Sequence, residues 1–337
     1  MRLSDTIGLS IIVPARNAAS TLPHCLEAIC AQIIGRDELI VVDDCSNDDT
    51  FEVAARFPVK VIRMVRHSGA AAARNRGASE ASRPVLLFLD ADVVLGPGGL
   101  SRAHSDMCDP GFQAVVGSYD DSPSDQSTVS MFKNLAHHFF HQQGAEYITS
   151  FWSGCGLLSR QTFWEAGGFD EKRLSIEDVE FGYRLSDLGI RIRIDRELRV
   201  THLKRWTIRS LVVTDVARRA VPWTILSLER KHLPAELNFS KRQRAAALVA
   251  LVLASCIPLI PLRPGLGGVL AVLVATAFWL NLPLYILFLK KGGGRLMLAG
   301  FFLQQFYYLY SLSGLAAGAA LFSLRRGWLS LRHWFQA

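Results

Sequence analysis

The sequence predicts an α/β protein: a mostly parallel sheet flanked by helices, followed by interfacial amphipathic helices and an all-α transmembrane segment. Three observations predict it. Short apolar runs alternate with helical patterns through the first 120 residues or so, the rhythm of a parallel sheet. Acidic pairs stand where those runs end. The last part of the chain is both apolar and basic. Of 337 residues, 50% are hydrophobic, and the formal net charge is +7. That charge is unevenly divided. Residues 1–202 carry 20 Lys and Arg against 27 Asp and Glu, whereas residues 203–337 carry 17 against 3. An acidic first part with a basic, apolar tail fits a catalytic domain on a membrane-seeking tail. The long apolar runs argue against a nucleic-acid-binding tail.

The elements follow in order. Leu9 to Val13 reads as a strand ended by Pro14, and a helix follows with Ser20 or Thr21 as N-cap and Pro23 in its first turn. Next come a strand at Glu38 to Val42, a helix near Thr50 to Phe57 and a strand at Val59 to Val65. A helix over Ala70 to Ala81 leads into the fully apolar strand Val85 to Leu89. Gln113 to Ser118 reads as a further strand, and the polar stretch 119–128 as a mobile loop. His137 and His141 lie one helical turn apart, but no carboxylate or cysteine accompanies them at ligand spacing, so a helix with histidines at a polar boundary is expected. Thr207 to Lys231 is basic and amphipathic, the pattern of a helix in a membrane interface. Three apolar stretches follow, Ala245 to Leu262, Val269 to Leu289 and Leu296 to Leu324, each long enough for a hydrocarbon core of roughly 30 Å. Lys241, Arg242 and Arg244 precede the first, and Lys290, Lys291 and Arg295 stand between the second and third, which places both flanks in the cytoplasm. Arg325, Arg326 and Arg332 complicate a three-span arrangement: either they lie outside, or one stretch is re-entrant. The six cysteines show neither zinc spacing nor a disulfide framework and read as reduced thiols. The run Ile7 to Val13 is too short for a signal peptide, which keeps the first domain cytoplasmic.

The chemistry begins at Asp90-Ala91-Asp92, directly after Val85 to Leu89. Two carboxylates spaced i, i+2 at a strand end can converge on one divalent cation, and hard oxygen ligands suit Mg²⁺ or Mn²⁺, which bridges phosphates. Asp-x-Asp also occurs in plain turns. A second pair, Asp43-Asp44, ends another apolar strand, and a third, Glu177-Asp178, lies downstream. Carboxylates at several strand ends fit the rule that open α/β sheets bind ligands at the carboxyl edge. The first strand is followed by Pro14-Ala15-Arg16-Asn17 and not by a Gly-x-Gly-x-x-Gly turn, which argues against a nicotinamide-dependent oxidoreductase.

Taken together, residues 1–206 resemble the family 2 glycosyltransferases of the GT-A fold. The resemblance rests on eight short pieces in the family's order. They are Ser10 to Pro14 with Asn17, Val41 to Asp44, His67 to Gly77, Leu89 to Asp92, Ser153 to Gly156, Gly167 to Asp170, Ile176 to Asp178, and His202 to Trp206. It implies a GT-A catalytic domain over 1–206, interface helices over 207–243 and a transmembrane region of two to three spans over 244–337. It also implies roles. Pro14, Arg16, Asp43 and Gly69 would line the nucleotide pocket, and Asp44 would accept a hydrogen bond from the imino group of uracil or a similar base. Arg74 and Arg205 would hold the diphosphate. Asp90 would touch ribose and metal, Asp92 the metal, and His202 the metal or phosphate. Gly154, Cys155, Gly156 and Trp206 would face the acceptor. Asp178 would be the general base and Glu177 its orienting neighbour. His202-x-x-Arg205-Trp206 resembles the Gln-x-x-Arg-Trp element of membrane-bound synthases, but with His in place of Gln, which puts a processive polymerase in doubt. The implied protein is a membrane-anchored inverting transferase using Mn²⁺ or Mg²⁺, with a nucleotide-sugar, foremost a UDP-sugar, as donor. Its acceptor would be a lipid or lipid-linked saccharide, a polyprenyl phosphate, or a growing polysaccharide. The non-enzymatic alternative is a nucleotide-binding membrane scaffold.

Overall fold

The computed structural model describes residues 7–231, 240–263 and 265–334, with side chains described as far as Arg325. Segment 232–239 of the expected interface helices, and the side chains of Arg326 and Arg332, lie outside the described residues. The chain forms two compact units. The first is Met1–Asp125 with His141–Lys204, and the second is Gln126–Phe140 with Arg205–Ala337.

In the first unit, strands β1 (Leu9–Ala15), β2 (Glu38–Asp43), β3 (Lys60–Arg63), β4 (Val85–Leu89), β5 (Val93–Leu95), β6 (Ala114–Tyr119), β7 (Tyr147–Ile148), β8 (Cys155–Ser159) and β9 (Ile192–His202) form one sheet. Its order is β3-β2-β1-β4-β8-β6-β9-β5, with β7 on β9. The expected parallel sheet is its first half, where β1 pairs β2 and β4, and β2 pairs β3, all in parallel. β1, β2 and β4 are nearly continuous apolar runs because both of their faces are covered, whereas the edge strand β3 is only partly buried. The second half is mixed: β8 runs antiparallel to β4 and β6, while β6 runs parallel to β9. The C-terminal ends of β1, β2, β4, β6 and β9 therefore open on one edge, joined there by the start of β8.

Helices α1 (Leu22–Cys30), α2 (Thr50–Ala54), α3 (Ala70–Glu80), α4 (Gly99–Met107), α6 (Arg160–Glu165) and α7 (Glu177–Asp187) cover the faces, with the last turn of α5 (Thr128–Gln143). One face packs Leu22, Leu26 and Ile29 of α1 against Ile11, Val13, Leu87 and Leu89. The other is aromatic: Phe88 meets Phe151, Phe163 and Phe169 with ring centroids 5.3–6.4 Å apart, and Phe181 of α7 closes the cluster. α3 lies so close to β1 that a Cβ at Gly77 would stand 2.4 Å from Ile12 Cγ2.

α4 and β9 share a buried charge cluster. Arg102 binds Asp195, and Arg193 binds Asp106 at 2.9 Å. Burial and the adjacent Asp195 push the Asp106 carboxyl up to about 7, with Arg193 opposing. Its unfolded counterpart titrates near 4, so between pH 4 and 7 the folded chain holds a proton that the unfolded chain has lost, and stability falls as pH rises through that window. Asp106→Asn is expected to flatten the fall by on the order of 1 kcal/mol, checked by thermal melts at pH 5 and pH 8. An unchanged difference between the two melts would refute the assignment.

The second unit is helical. It holds α5 as far as Phe140, α8 (Ile208–Asp215), a π-helical turn (Val216–Ala220), α9 (Val221–Arg230), α10 (Lys241–Cys256), α11 (Leu266–Leu280) and α12 (Leu282–Trp334). Two stretches are long and apolar enough to cross a membrane, Lys241–Leu259 (19 residues) and Leu282–Arg325 (44 residues). The second expected stretch, Val269 to Leu289, is not one helix. It breaks at Asn281, whose Nδ2 bonds Ala277 O at 3.4 Å and whose Oδ1 accepts from Tyr308 Oη (2.9 Å) and Gln243 Nε2 (3.2 Å). α11, at 15 residues, is roughly 22 Å long and falls short of a bilayer core. α12 bends at Gly292 and Gly293, where φ reaches +68° at Gly293.

Two further devices hold this unit. Lys133 of α5 pairs with Asp215 at 2.7 and 2.9 Å, and Tyr310 Oη donates to the same carboxylate at 2.8 Å. Gly314 and Gly318, four residues apart on α12, let the π-helical turn and α9 approach. A Cβ at Gly318 would lie 2.9 Å from Val221 O and 2.7 Å from Thr224 Cβ. Small residues at this spacing permit close helix packing. Gly318→Leu is expected to destabilise the unit by about 1–3 kcal/mol, read as a lower melting temperature in detergent. A neutral substitution would contradict this packing.

Candidate active site

The site is built on the carboxyl edge of the sheet. β4 ends at Leu89, and Asp90 N donates to Gly154 O at 3.3 Å, which continues the β4–β8 pairing by one step. The Asp90 and Asp92 side chains remain about one-third exposed, at 34% and 37%. Arg74, on the inner face of α3, reaches Asp90 Oδ1 with Nη2 at 2.6 Å and Glu177 Oε1 with Nη1 at 2.8 Å. It is only 4% exposed. Burial alone would lower its pKa, but Asp90 and Glu177 raise it above the ordinary arginine value, so it is a fixed cation. This corrects the expectation of a guanidinium open to a diphosphate. The helix buries Arg74, and two carboxylates already neutralise it. Its place in the site is a brace between the first acidic motif and the third.

Glu177 and Asp178 open α7. The preceding residue, Ile176, sits in the left-handed region (φ 55°, ψ 22°), an outlier for a β-branched side chain and a mark of a strained functional turn. Asn75 fixes the loop that leads there: its Oδ1 accepts from Phe169 N and its Nδ2 donates to Phe169 O, both at 2.9 Å. Arg184 binds Glu180, Ala166 O and Gly168 O. Burial and the Glu177 charge push the Asp178 carboxyl up to about 7, with Arg74 pulling the other way. Asp178 is thus a carboxylate poised to take a proton near neutrality. Glu177 is held by Arg74, which fits an orienting residue.

On the β1–β3 half, the loops after β1 and β2 are knitted together. Asn17 N donates to Ser46 Oγ and Asn47 N to Asn17 Oδ1, both at 2.9 Å, while Asn17 and Cys45 adopt positive φ. Arg16 is exposed beside the half-buried Pro14. Asp43 is fully buried and receives Ser46 N at 3.1 Å. Asp44, 3% exposed, accepts three donors: His67 Nδ1 at 2.7 Å, Ser68 N at 2.8 Å and Gly69 N at 2.8 Å. Here Asp44 anchors the 67–69 loop. Gly69, with φ 95°, turns that loop into α3. His67 is half-exposed and held through Nδ1, which leaves Nε2 on the far side of the ring from Asp44.

On the opposite half, His202 Nε2 lies 3.4 Å from Asp92 Oδ2. Burial works to raise the Asp92 carboxyl, but the bond to His202 and the charges of His202 and Lys204 hold it below the usual range. Among the described residues, no three His, Cys, Asp or Glu side chains form a ready-made metal centre. The expected set of Asp90, Asp92 and His202 is therefore not a closed cage. Two part-exposed carboxylates fit a cation that completes its shell with water and substrate phosphates, the usual habit of Mg²⁺. His137 and His141 do not meet as ligands: His137 faces Arg219 at 3.4 Å in the second unit, and His141 packs on Tyr119 and Trp152 in the first.

Two expected acceptor contacts are corrected. Cys155 is 0% exposed within the sheet core, so its thiol faces no acceptor, and burial pushes that thiol up to about 12. Trp206 is 2% exposed in the core of the second unit. Its backbone N–H donates to Ser130 Oγ at 2.7 Å, and its ring lies 5.8 Å from Lys133 Nζ, so it offers no open face to a sugar. Arg205 is exposed and belongs to the second unit. Gly154 and Gly156 are needed for space: a Cβ would stand 2.6 Å from Trp152 Nε1 and 2.5 Å from Phe151 Cζ, respectively. Sequence reading missed Tyr119 and Trp152, since single aromatic residues far apart carry no motif, and it weighed His141 only as a metal ligand, not as their packing partner. His67, although inside a quoted motif, gave no sign of its pairing with Asp44.

Residues 10–167 match the family model for glycosyl transferase family 2. Validoxylamine A glucosyltransferase of Streptomyces hygroscopicus subsp. jinggangensis is 30% identical over 226 residues, covering 56% of this chain and 54% of that protein. Pre-mycofactocin glycosyltransferase of Mycobacterium tuberculosis (strain ATCC 25618 / H37Rv) is 27% identical over 213 residues, covering 60% and 44%. The chain thus spans about half the length of these curated relatives. Among solved structures, the mannosyltransferase PcManGT from Pyrobaculum calidifontis, in complex with GDP-Man and Mn²⁺, superposes with a TM-score of 0.61 at 18% identity, covering 91% of this chain and 86% of that one. That likeness establishes the GT-A fold.

Proposed function

We propose that this chain, which carries a family 2 glycosyltransferase domain over residues 10–167, is a membrane-anchored, metal-dependent inverting glycosyltransferase. It moves a sugar from a nucleotide-sugar, foremost a UDP-sugar, to a lipid or lipid-linked saccharide. The observation that carries this reading is the chain Asp90–Arg74–Glu177 beside Asp178. One buried cation ties the carboxylates suited to a metal and diphosphate to those suited to taking a proton from an acceptor. That link between the two sets of carboxylates supports a transfer reaction.

The nucleoside belongs on the β1–β3 half, against the loops of Pro14, Arg16 and Asp43, with Asp44 holding the loop of His67 to Gly69. Asp90 and Asp92 would hold the cation, with His202 beside Asp92 to orient it. When bound, Mn²⁺ or Mg²⁺ supplies Lewis-acid stabilisation of the departing diphosphate. Asp178 takes the proton of an acceptor hydroxyl as its oxygen attacks the anomeric carbon opposite the leaving group. The configuration inverts, so an α-linked donor gives a β-linked product. A carboxyl poised near 7 favours a hydroxyl acceptor over a lipid phosphate, which is already ionised and needs no base.

The second unit supports membrane anchoring. Large apolar side chains point outward along its helices, among them Leu248 (61% exposed), Val272 (66%), Trp279 (66%) and Phe302 (63%). An outward apolar surface of this extent suits lipid. Lys241, Arg242 and Arg244 at the start of α10, and Lys290, Lys291 and Arg295 around the bend of α12, support a cytoplasmic side for those two segments. The test is a donor panel. The detergent-purified protein is given Mn²⁺ or Mg²⁺ with UDP-, GDP- and dTDP-sugars beside Asp92→Ala, and stabilisation and nucleotide release are recorded. One donor giving both, lost in the variant, is the expected result. Binding of a nucleotide with no turnover of any donor would favour the scaffold reading.

A further inference from the structure

The carboxyl edge continues past the metal-binding carboxylates into a cluster of four rings. Tyr119 ends β6, His202 ends β9, and Val200 is paired with Tyr119, so both rings emerge at the same edge as Asp90. Trp152 precedes β8, whose first residue pairs with Leu89, which puts it at that edge as well. The Tyr119 and Trp152 ring centroids are 4.5 Å apart, Tyr119 and His202 are 5.2 Å apart, and His141 is 5.2 Å from Trp152. Tyr119 is buried, whereas Trp152 is only partly so. Gly154 exists to seat that indole, since a Cβ there would stand 2.6 Å from Nε1, and Gly154 O is the acceptor for Asp90 N. One end of the cluster therefore touches the loop that carries Asp90, and the other touches Asp92 through His202.

We infer that Trp152, backed by Tyr119, is a stacking platform for a pyranose ring of the acceptor. The inference rests on the transferase reading and deepens it. Aromatic faces bind the C–H faces of sugars, and a partly exposed tryptophan set among other rings is stiff and already partly desolvated. Position assigns the ring to the acceptor. The β1–β3 half is taken up by the nucleoside side of the site, and the cluster lies beyond the carboxylates on the other half. The cluster is aromatic, which suits the C–H face of a sugar ring. The acceptor is then a glycoside whose sugar lies next to the attacked hydroxyl.

The test compares wild type, Trp152→Leu and Trp152→Phe with the nucleotide-sugar selected by the donor panel and Mg²⁺. Transfer to octyl β-glycosides and hydrolysis of the donor by water are followed separately. Saturation-transfer NMR of the same glycosides reads binding directly. The expected result is an acceptor KM raised about tenfold in Trp152→Leu and largely restored in Trp152→Phe, with the donor KM in hydrolysis unchanged. Two results would overturn the inference: a rise in donor KM instead, or no Trp152-dependent transfer or saturation from any glycoside in a protein that still melts cooperatively and binds nucleotide. A wild type that neither transfers from nor hydrolyses any donor fails the transferase reading itself, a separate outcome.

Discussion

Asp178→Asn is expected to lower kcat for transfer to a hydroxyl acceptor by roughly 10²–10⁴-fold, the usual worth of a positioned general base. Donor binding should stay near its wild-type value, because Asp178 sits at the acceptor end of the Asp90–Arg74–Glu177 brace. In the wild type, kcat/KM should rise with pH along a limb centred near 7, where the Asp178 carboxyl ionises. Stability should run the other way. The folded chain keeps the Asp178 proton up to about 7, while the unfolded chain loses it near 4, so ionising Asp178 costs stability as pH rises between those values. The asparagine variant escapes that cost. It should be nearly inactive at pH 8 and yet melt no lower than wild type there. Pre-steady-state transfer and a thermal melt on the same preparation check both halves. Near-normal transfer by Asp178→Asn would remove the residue from the mechanism.

The second large effect belongs to Arg74. Replacing it with methionine keeps the volume but leaves Asp90 and Glu177 as facing carboxylates, one of them largely buried. Removing one partner of a buried ion pair costs about 3–5 kcal/mol, which corresponds to a melting temperature lower by about 10 °C in a unit of this size. Arg74 is also the cation that holds the Asp178 carboxyl down, so its loss should push the activity limb of any surviving enzyme to higher pH. A surface arginine that merely met the diphosphate would weaken nucleotide binding and leave the melt unchanged. Arg74→Lys reaches one carboxylate and not both, so it should fall between the two in stability.

Much of this architecture was legible in the chain. Continuous apolar runs such as Val85 to Leu89 announce strands covered on both faces, and carboxylates immediately after them mark the ligand edge. Identity along the chain does not report burial. Arg74 and Cys155 read as site residues, but α3 turns Arg74 inward to two carboxylates, and β8 places the Cys155 thiol in the core. Trp206 carries a motif-like neighbourhood and still packs beneath Lys133. Asp44 was expected to meet a base, and it spends three bonds on the loop at His67. These outcomes depend on which face of an element a residue occupies, and one-residue motifs do not encode that. The antiparallel β8 and the long β9 were invisible for a related reason: their partners lie far away in sequence. In the tail, hydropathy found the apolar mass but not the break at Asn281, where the amide carbonyl draws two hydrogen bonds from neighbouring helices.

The proposed inverting transfer at the Asp90–Arg74–Glu177 edge, with Asp178 as base, fixes the configuration of the product. The anomeric proton of the product tests it most directly. The reaction of the selected α-linked nucleotide-sugar, with Mg²⁺ and a glycoside acceptor, is followed by NMR in the tube as it proceeds. A β-linked product should grow in step with released nucleoside diphosphate, with neither signal in Asp92→Ala or Asp178→Asn. An α-linked product, or a β-linked one formed equally well by Asp178→Asn, would contradict it.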